Sequence, residues 1–243
     1  MDENLLDGQR RKEVLRQCLS VGVATGTYGI SFGALSVAAG LNLWQTIALS
    51  ALLFSGASQF AVVGIVAAGG SGAAAVATST LLALRNSLYS LQMSRLLGVS
   101  GLRRVAAAQL TIDESTAVGV VQPERAAQRL GFWGTGLAVF VLWNLMTIVG
   151  AFVGNALGDP KSFGLDAAAP AAFCGLLWPR LKRGDTRAVA AVSAVIALVV
   201  APHAPAGIPV LVAALTAIVA GLLPPRAARV PDTLPHDPPD ARG

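Results

Sequence analysis

The stretch LLALRNSLYS (residues 81–90) decides what kind of fold this chain adopts, because it places Arg85 inside apolar sequence. Arg85 is the first charge after Arg16: residues 17–84 contain no Asp, Glu, Lys or Arg. Residues 130–158, 167–179 and 188–225 are free of these four as well. A membrane-spanning helix needs about 20 apolar residues, so 17–84 alone holds two spans and most of a third. Charged residues make up 13% of the chain and hydrophobic ones 54%, where a soluble domain carries roughly a quarter charged. The expected fold class is all-α: a polytopic transmembrane helix bundle of six to eight spans.

The net charge of +5 does not point to nucleic acid. The basic residues sit just outside the apolar runs: Arg10, Arg11, Lys12 and Arg16; Arg125 and Arg129; Arg180, Lys182, Arg183 and Arg187; Arg226 and Arg229. This is the positive-inside pattern, and it puts both termini in the cytoplasm. The first 16 residues lack the short apolar region and cleavage site of a signal peptide and read as a cytoplasmic segment. Residues 17–223 form the transmembrane domain, and the proline-rich 224–243 reads as a disordered tail. Cys18 and Cys174 read as isolated small hydrophobes rather than a disulfide.

Candidate spans are 17–39, 45–69, 73–97, 130–156, 166–181, 188–202 and 207–223, with 104–121 ambiguous because Asp113 and Glu114 lie at its centre. Counting from the N-terminus puts residues 69–72 inside, and counting back from the basic 180–187 puts Arg125 and Arg129 inside. Residues 73–121 must then start and finish in the cytoplasm. Either 73–97 and 104–121 both cross, giving eight spans, or the pair is re-entrant, giving six and keeping Arg95, Arg103 and Arg104 inside. The length of 73–97 favours crossing. Loop chemistry at Asp159-Pro160 and an N-cap at Asp166 precede the segment 166–181.

Gly22, Gly26, Gly29, Gly33, Ser36 and Gly40 recur every three or four residues and form one small-residue face, which lets helix backbones approach closely in lipid. On a helix through 73–97, Thr78, Arg85, Tyr89 and Gln92 share one sector, widened by Ser79, Asn86 and Ser90, opposite a leucine face. A central charge costs about 2.5–3.5 kcal/mol on insertion scales, so Arg85 needs a use: an anion site, or a pairing with Asp113 or Glu114 that holds two helices together. Asp113 and Glu114 fit a counter-ion to Arg85, an ammonium site or a proton carrier if buried; if 104–121 is a cytoplasmic amphipathic helix, they are solvated and inert. In FSGASQF (54–60), Ser55, Ser58 and Gln59 interrupt a span, either unwinding it at a ligand or bonding across helices. Trp143 and Asn144 line a cavity or only pack. No metal, cofactor, phosphate-loop or hydrolase motif is present, so an enzyme is the weakest reading.

Taken in order, GISFGALSVAAGL (29–41), FSGASQFAVVGIVAAG (54–69), LLALRNSLYS, LTIDESTAVGV (110–120) and GLDAAAPAAFCGLLWPRL (164–181) resemble the AzlC family of branched-chain amino acid exporters. The chain departs from the family at Asn86, where histidine usually follows the arginine. The resemblance implies efflux of valine, leucine or isoleucine across the cell membrane and a small AzlD-type membrane partner; the missing motifs lead us to expect no cofactor. On the residues themselves, Arg85 is expected to hold the substrate carboxylate with Tyr89, Gln92 and Asn86. The ammonium falls to Asp113 or to carbonyls near Ser55, Ser58 and Gln59, and Asp113 or Glu114 carries any coupled proton. The competing readings are a membrane scaffold without transport, or a transporter of another small zwitterion or anion.

Overall fold

A computed structural model describes residues 6–157, 174, 177–182 and 184–222. These are helical throughout, with no strand. The order is α1 (Gly8–Gly26), α2 (Tyr28–Ala38), α3 (Leu43–Leu52), α4 (Gly56–Ala67), α5 (Gly72–Leu97), α6 (Gly101–Gln109), α7 (Asp113–Val121) and α8 (Arg125–Leu157). A short 3-10 segment (Trp178–Lys182), α9 (Gly184–Val200) and α10 (Ile208–Leu222) complete it. The expected span 166–181 lies largely outside the described residues, as do the Asp159 to Asp166 loop and the tail 224–243.

Among the described residues, two helical runs are long and apolar enough to cross a membrane: Gly8–Ala38 and Arg125–Ala156. They pack on each other through glycine. A Cβ at Gly22 would lie 2.7 Å from the Ala138 Cβ, one at Gly26 2.6 Å from the Leu142 Cβ, and one at Gly29 2.6 Å from the Trp143 carbonyl. At Gly33 it would collide with the Thr147 carbonyl. Glycines on α8 reciprocate: Gly150 meets the Ile30 carbonyl and Gly154 meets Val37 and Ala34. Residue numbers rise together along this contact, so α1–α2 and α8 run parallel. The predicted small-residue face is therefore a helix contact through Gly33, and the contact continues past it with Ala34 and Val37 against Gly154. Ser36 is buried there and bonds back to the Phe32 carbonyl (2.8 Å), while Gly40 sits in the next turn at φ +92 with nothing near it. Away from the contact, Leu15, Leu19 and Val23 of α1 and Leu137, Val141, Leu145 and Val149 of α8 form exposed apolar stripes, as lipid-facing helices do.

Arg10 marks one end of the bundle. Its Nη2 donates to Gln122 Oε1 (2.8 Å), Gln122 Nε2 donates to Gln17 Oε1 (2.9 Å), and Arg10 Nε lies 3.6 Å from Glu124. The start of α1, the end of α7 and the start of α8 thus share this basic end. Since α1–α2 and α8 both lead away from it, the chain between them must come back.

Only α5 makes that return over the full length. α3 starts at the far end, where Asn42 and Gln45 form a reciprocal capping box, and runs inward past Thr147 to Phe140, which Phe54 meets edge-on at 5.0 Å. The chain then turns back. Gln59 of α4 reaches the α3 carbonyls of Ser50 and Leu49, and Val62 and Val66 share an apolar groove with Gly40 and Leu41 at the start of α3. α4 runs antiparallel to α5, with Ser58 bonded to the Ser79 carbonyl and Ile65 packed with Ala74 and Ala75. α5 ends at the basic end: Leu97 clusters with Met93, Ala107 and Phe132, and a Cβ on Gly98 would lie 3.6 Å from Arg129. From there α6 climbs until Leu110 meets Gly136, and α7 descends with Val118 against Gly131 and Gly119 against Phe132.

The pairs α3–α4 and α6–α7 are thus helical hairpins entering from opposite ends. This differs from the path counted from sequence. Segment 45–69 is not one continuous helix but folds back at residues 53–55, residues 69–72 lie at the far end, α5 alone runs the length of the bundle between the two hairpins, and 104–121 doubles back. Apolar content near residues 45–69 suits a hairpin as well as one long helix, so hydrophobic runs alone do not place it. α10 packs beside α5, with Gly207 against Ala74 and Ser193 of α9 bonded to the Ala213 carbonyl (3.3 Å).

Gly33→Ala and Gly150→Ala should each destabilise the bundle by about 1–3 kcal/mol or more, since the new methyl meets backbone that cannot move aside. Gly64→Ala, with nothing within 4 Å, should not. Melting temperatures of the detergent-solubilised variants measure both.

Candidate functional site at the hairpin junction

The two hairpin tips, residues 53–55 and 110–112, meet halfway along α8. Gln109 Nε2 donates to the Ala51 carbonyl at 2.7 Å, and Phe54 and Ile112 join Phe32, Phe60, Val63, Val139 and Trp143 in one core cluster. Both tips interrupt helices, leaving carbonyls that would be unpaired. Side chains take them. Gln59 Nε2 donates to the Ser50 carbonyl (3.0 Å) and lies near those of Leu49 (3.4 Å) and Leu53 (3.5 Å). In the second tip Ser115 Oγ donates to the Leu110 carbonyl (2.6 Å) and accepts from the Ile112 N–H (3.1 Å), while Thr111 Oγ1 donates to the Ala107 carbonyl (2.7 Å).

Next to this junction α5 presents Arg85 to the first turn of α7. Arg85 Nη1 lies 2.8 Å from Asp113 Oδ2, with side chains 28% and 22% exposed. Of the two partners open in the sequence, Asp113 makes the contact. The pair is not saturated: Arg85 Nε and Asp113 Oδ1 have no hydrogen-bond partner, nor do Asn86 Oδ1, Thr78 Oγ1 and Thr116 Oγ1. Unpaired donors and acceptors on facing parts of α5 and α7 give this interface spare capacity for a small polar ligand.

The structure sorts the other expected site residues. Glu114 and Asn86 lie half-buried beside the pair, Tyr89 is half-buried one turn on, and Gln92 is exposed, so the polar stripe fades toward the basic end. Ser55, Ser58 and Gln59 are buried and hold the first hairpin: Ser55 and Ser58 share a hydroxyl contact (3.2 Å), and Ser58 bonds the Ser79 carbonyl (3.0 Å). Side-chain amides already cap the α3 carbonyls there, which removes most of the carbonyl site expected for an ammonium. Asn144 bonds within its own helix (2.8 Å). Trp143 is buried between Phe32 and Phe60. Sequence reasoning passed over Gln109 and Thr116; a glutamine at the end of a short helix, just before LTID, was the available signal.

A helical bundle with exposed apolar faces and a charged pair at the meeting point of two opposed hairpins is that of a helical membrane protein, and the family match below suggests a permease-related role. Residues 20–157, which take in both hairpins, match the family described as AzlC protein. The chain belongs to the AzlC family. No curated protein and no solved structure matches it.

Breaking the pair from either side leaves an uncompensated charge. Arg85→Gln and Asp113→Asn should each lower stability, and the double variant should recover a coupling of about 1–3 kcal/mol, read from the melting temperatures of the four proteins.

Proposed function

We propose that this protein exports branched-chain amino acids as the large subunit of a two-component exporter, with a small AzlD-type membrane protein as its partner. The observation that carries the reading is the unsaturated Arg85–Asp113 pair at the hairpin junction. An amino acid zwitterion has the same charge pattern as the pair. Inserted between the two side chains, its carboxylate takes Arg85 and its ammonium takes Asp113, so no net charge is buried. Asn86 and Tyr89 lie alongside to accept or donate, and the apolar cluster around Phe54 and Ile112 suits an aliphatic side chain. Glu114 and Asp113 are the groups placed to carry a coupled proton. The chain catalyses no covalent step in this reading and uses no cofactor.

In the cell membrane the basic end faces the cytoplasm, with both termini there. Among the described residues the crossings are α1–α2, α5, α8, α9 and α10, to which the sequence adds its expected span 166–181, and the two hairpins enter from opposite sides. Arg95, Arg103 and Arg104 then fall inside with Arg125 and Arg129, which satisfies the positive-inside rule. In a chain lacking Cys18 and Cys174, a cysteine at Ala68 should label from outside the cell and one at Ser100 only from the cytoplasm. The reverse pattern at Ala68 would restore the crossing of 45–69.

The reading is tested by efflux of preloaded labelled leucine from cells lacking their own exporter, with the partner co-expressed. Wild type should export, and well-expressed Arg85→Gln should lose at least about tenfold in rate, the scale of a lost charge-assisted contact. Equal export by both would make Arg85 a structural counter-ion. No export by wild type would favour a scaffold without transport.

A further inference from the structure

We infer that the outward face of α1 binds one anionic phospholipid, its phosphate at the basic end and an acyl chain along the helix. The site lies on the side of α1 turned away from α8 and does not depend on what the bundle transports.

Two rows of side chains, each stepping four residues, form a groove there. One row is Lys12, Arg16, Ser20 and Ala24, and the other is Leu15, Leu19 and Val23. Both rows are exposed. The face of α1 that is buried carries Val14, Cys18, Gly22 and Gly26, which at 100° per residue is the opposite one.

The groove is layered by chemistry. Arg16 is the last charge before Arg85, so it marks the level at which charged sequence gives way to apolar sequence. Lys12 and Arg16 stand there one turn apart. Among the described residues neither enters an ion pair or a side-chain hydrogen bond, whereas Arg10 is tied to Glu13, Glu124 and Gln122. One turn deeper, the Ser20 hydroxyl is also without a partner among the described residues. Serines on other helices bond back to their own backbone, as Ser36 does to Phe32 and Ser90 to Asn86. Leu19, Val23 and Ala24 then continue the groove as apolar surface.

A diacyl phospholipid repeats this order of phosphate, ester carbonyl and hydrocarbon. Lys12 and Arg16 take the phosphate oxygens, Ser20 donates to an ester carbonyl, and the chain lies between the two rows. From Lys12 to Ala24 the helix rises about 18 Å at 1.5 Å per residue, close to the roughly 20 Å of one leaflet with its headgroups. Charge decides the headgroup. Choline or ethanolamine brings its own cation beside Lys12 and Arg16, while glycerol leaves the phosphate charge uncompensated. Glu13, the nearest carboxylate in sequence, is engaged by Arg10. An apolar partner helix would cover the leucine row and leave both cations unmatched.

The test titrates the full chain in detergent with dioleoylphosphatidylglycerol or dioleoylphosphatidylcholine and reads the affinity of the first adduct by native mass spectrometry. Wild type should bind the glycerol lipid at least about tenfold more tightly, the scale of two basic groups near an anionic surface. Lys12→Gln/Arg16→Gln should remove that preference, and Arg16→Gln alone should reduce it if the double variant does not fold. Leu19→Asn, which leaves the charge unchanged, should weaken both lipids. Arg103→Gln/Arg104→Gln removes as much charge from exposed residues at the same end, outside the groove, and should change neither affinity. Equal affinity of wild type for the two lipids overturns the site. So does an equal loss in both double variants, which would make the preference a matter of net charge. Lipid binding that survives Lys12→Gln/Arg16→Gln while the small membrane partner no longer co-purifies would give the groove to that protein instead.

Discussion

Everything in this bundle depends on how closely α1–α2 approaches α8. In lipid, apolar side chains gain little by leaving their surroundings, so helices associate through packing and polar contacts. Glycines on both sides bring the Gly33 and Gly150 backbones against opposing carbonyls at distances that any side chain would forbid. That contact sets the two longest helices parallel. A parallel pair separated by some ninety residues forces the intervening chain to return to its starting end, and α5 does so. The segments on either side of α5 are left as hairpins, one open to each end.

Hairpin tips in the middle of a bilayer expose backbone groups where no water is available, and non-helical backbone is tolerated there only when protein satisfies it. This explains residues that otherwise look like oddities in apolar sequence. Gln59 and Gln109 cap one interrupted helix, while Ser115 and Thr111 close the other. Gln109 does a second job by bonding one tip to the other. The junction is consequently the point where the two hairpins, entering the bundle from opposite ends, touch.

The charged pair belongs to the same logic. Arg85 alone would be costly at this depth, and Asp113 offsets it at 2.8 Å. The pairing is incomplete, with a guanidinium nitrogen, a carboxylate oxygen and the neighbouring Asn86 amide oxygen left without partners. A purely structural ion pair is most stable when every donor and acceptor is satisfied. In the proposed function that open capacity takes the substrate.

Read alone, the sequence determined the membrane class, the glycine face from Gly22 to Gly33, the basic end and the need of Arg85 for a partner. Each of these is a local property: charge is absent over long runs, small residues recur with the helical repeat, and one arginine has no neighbour in sequence to neutralise it. The family, too, was legible in the ordered motifs. The chain path between residues 43 and 121 was not, because a hairpin and a crossing demand the same apolar composition and differ only in what the returning segment touches. Nor was the choice of Asp113 over Glu114, the capping by Gln59 and Gln109, or the packing of Trp143 between Phe32 and Phe60. These pair residues far apart in the chain across helices whose relative placement follows from the α2–α8 contact, so only the tertiary structure could decide them.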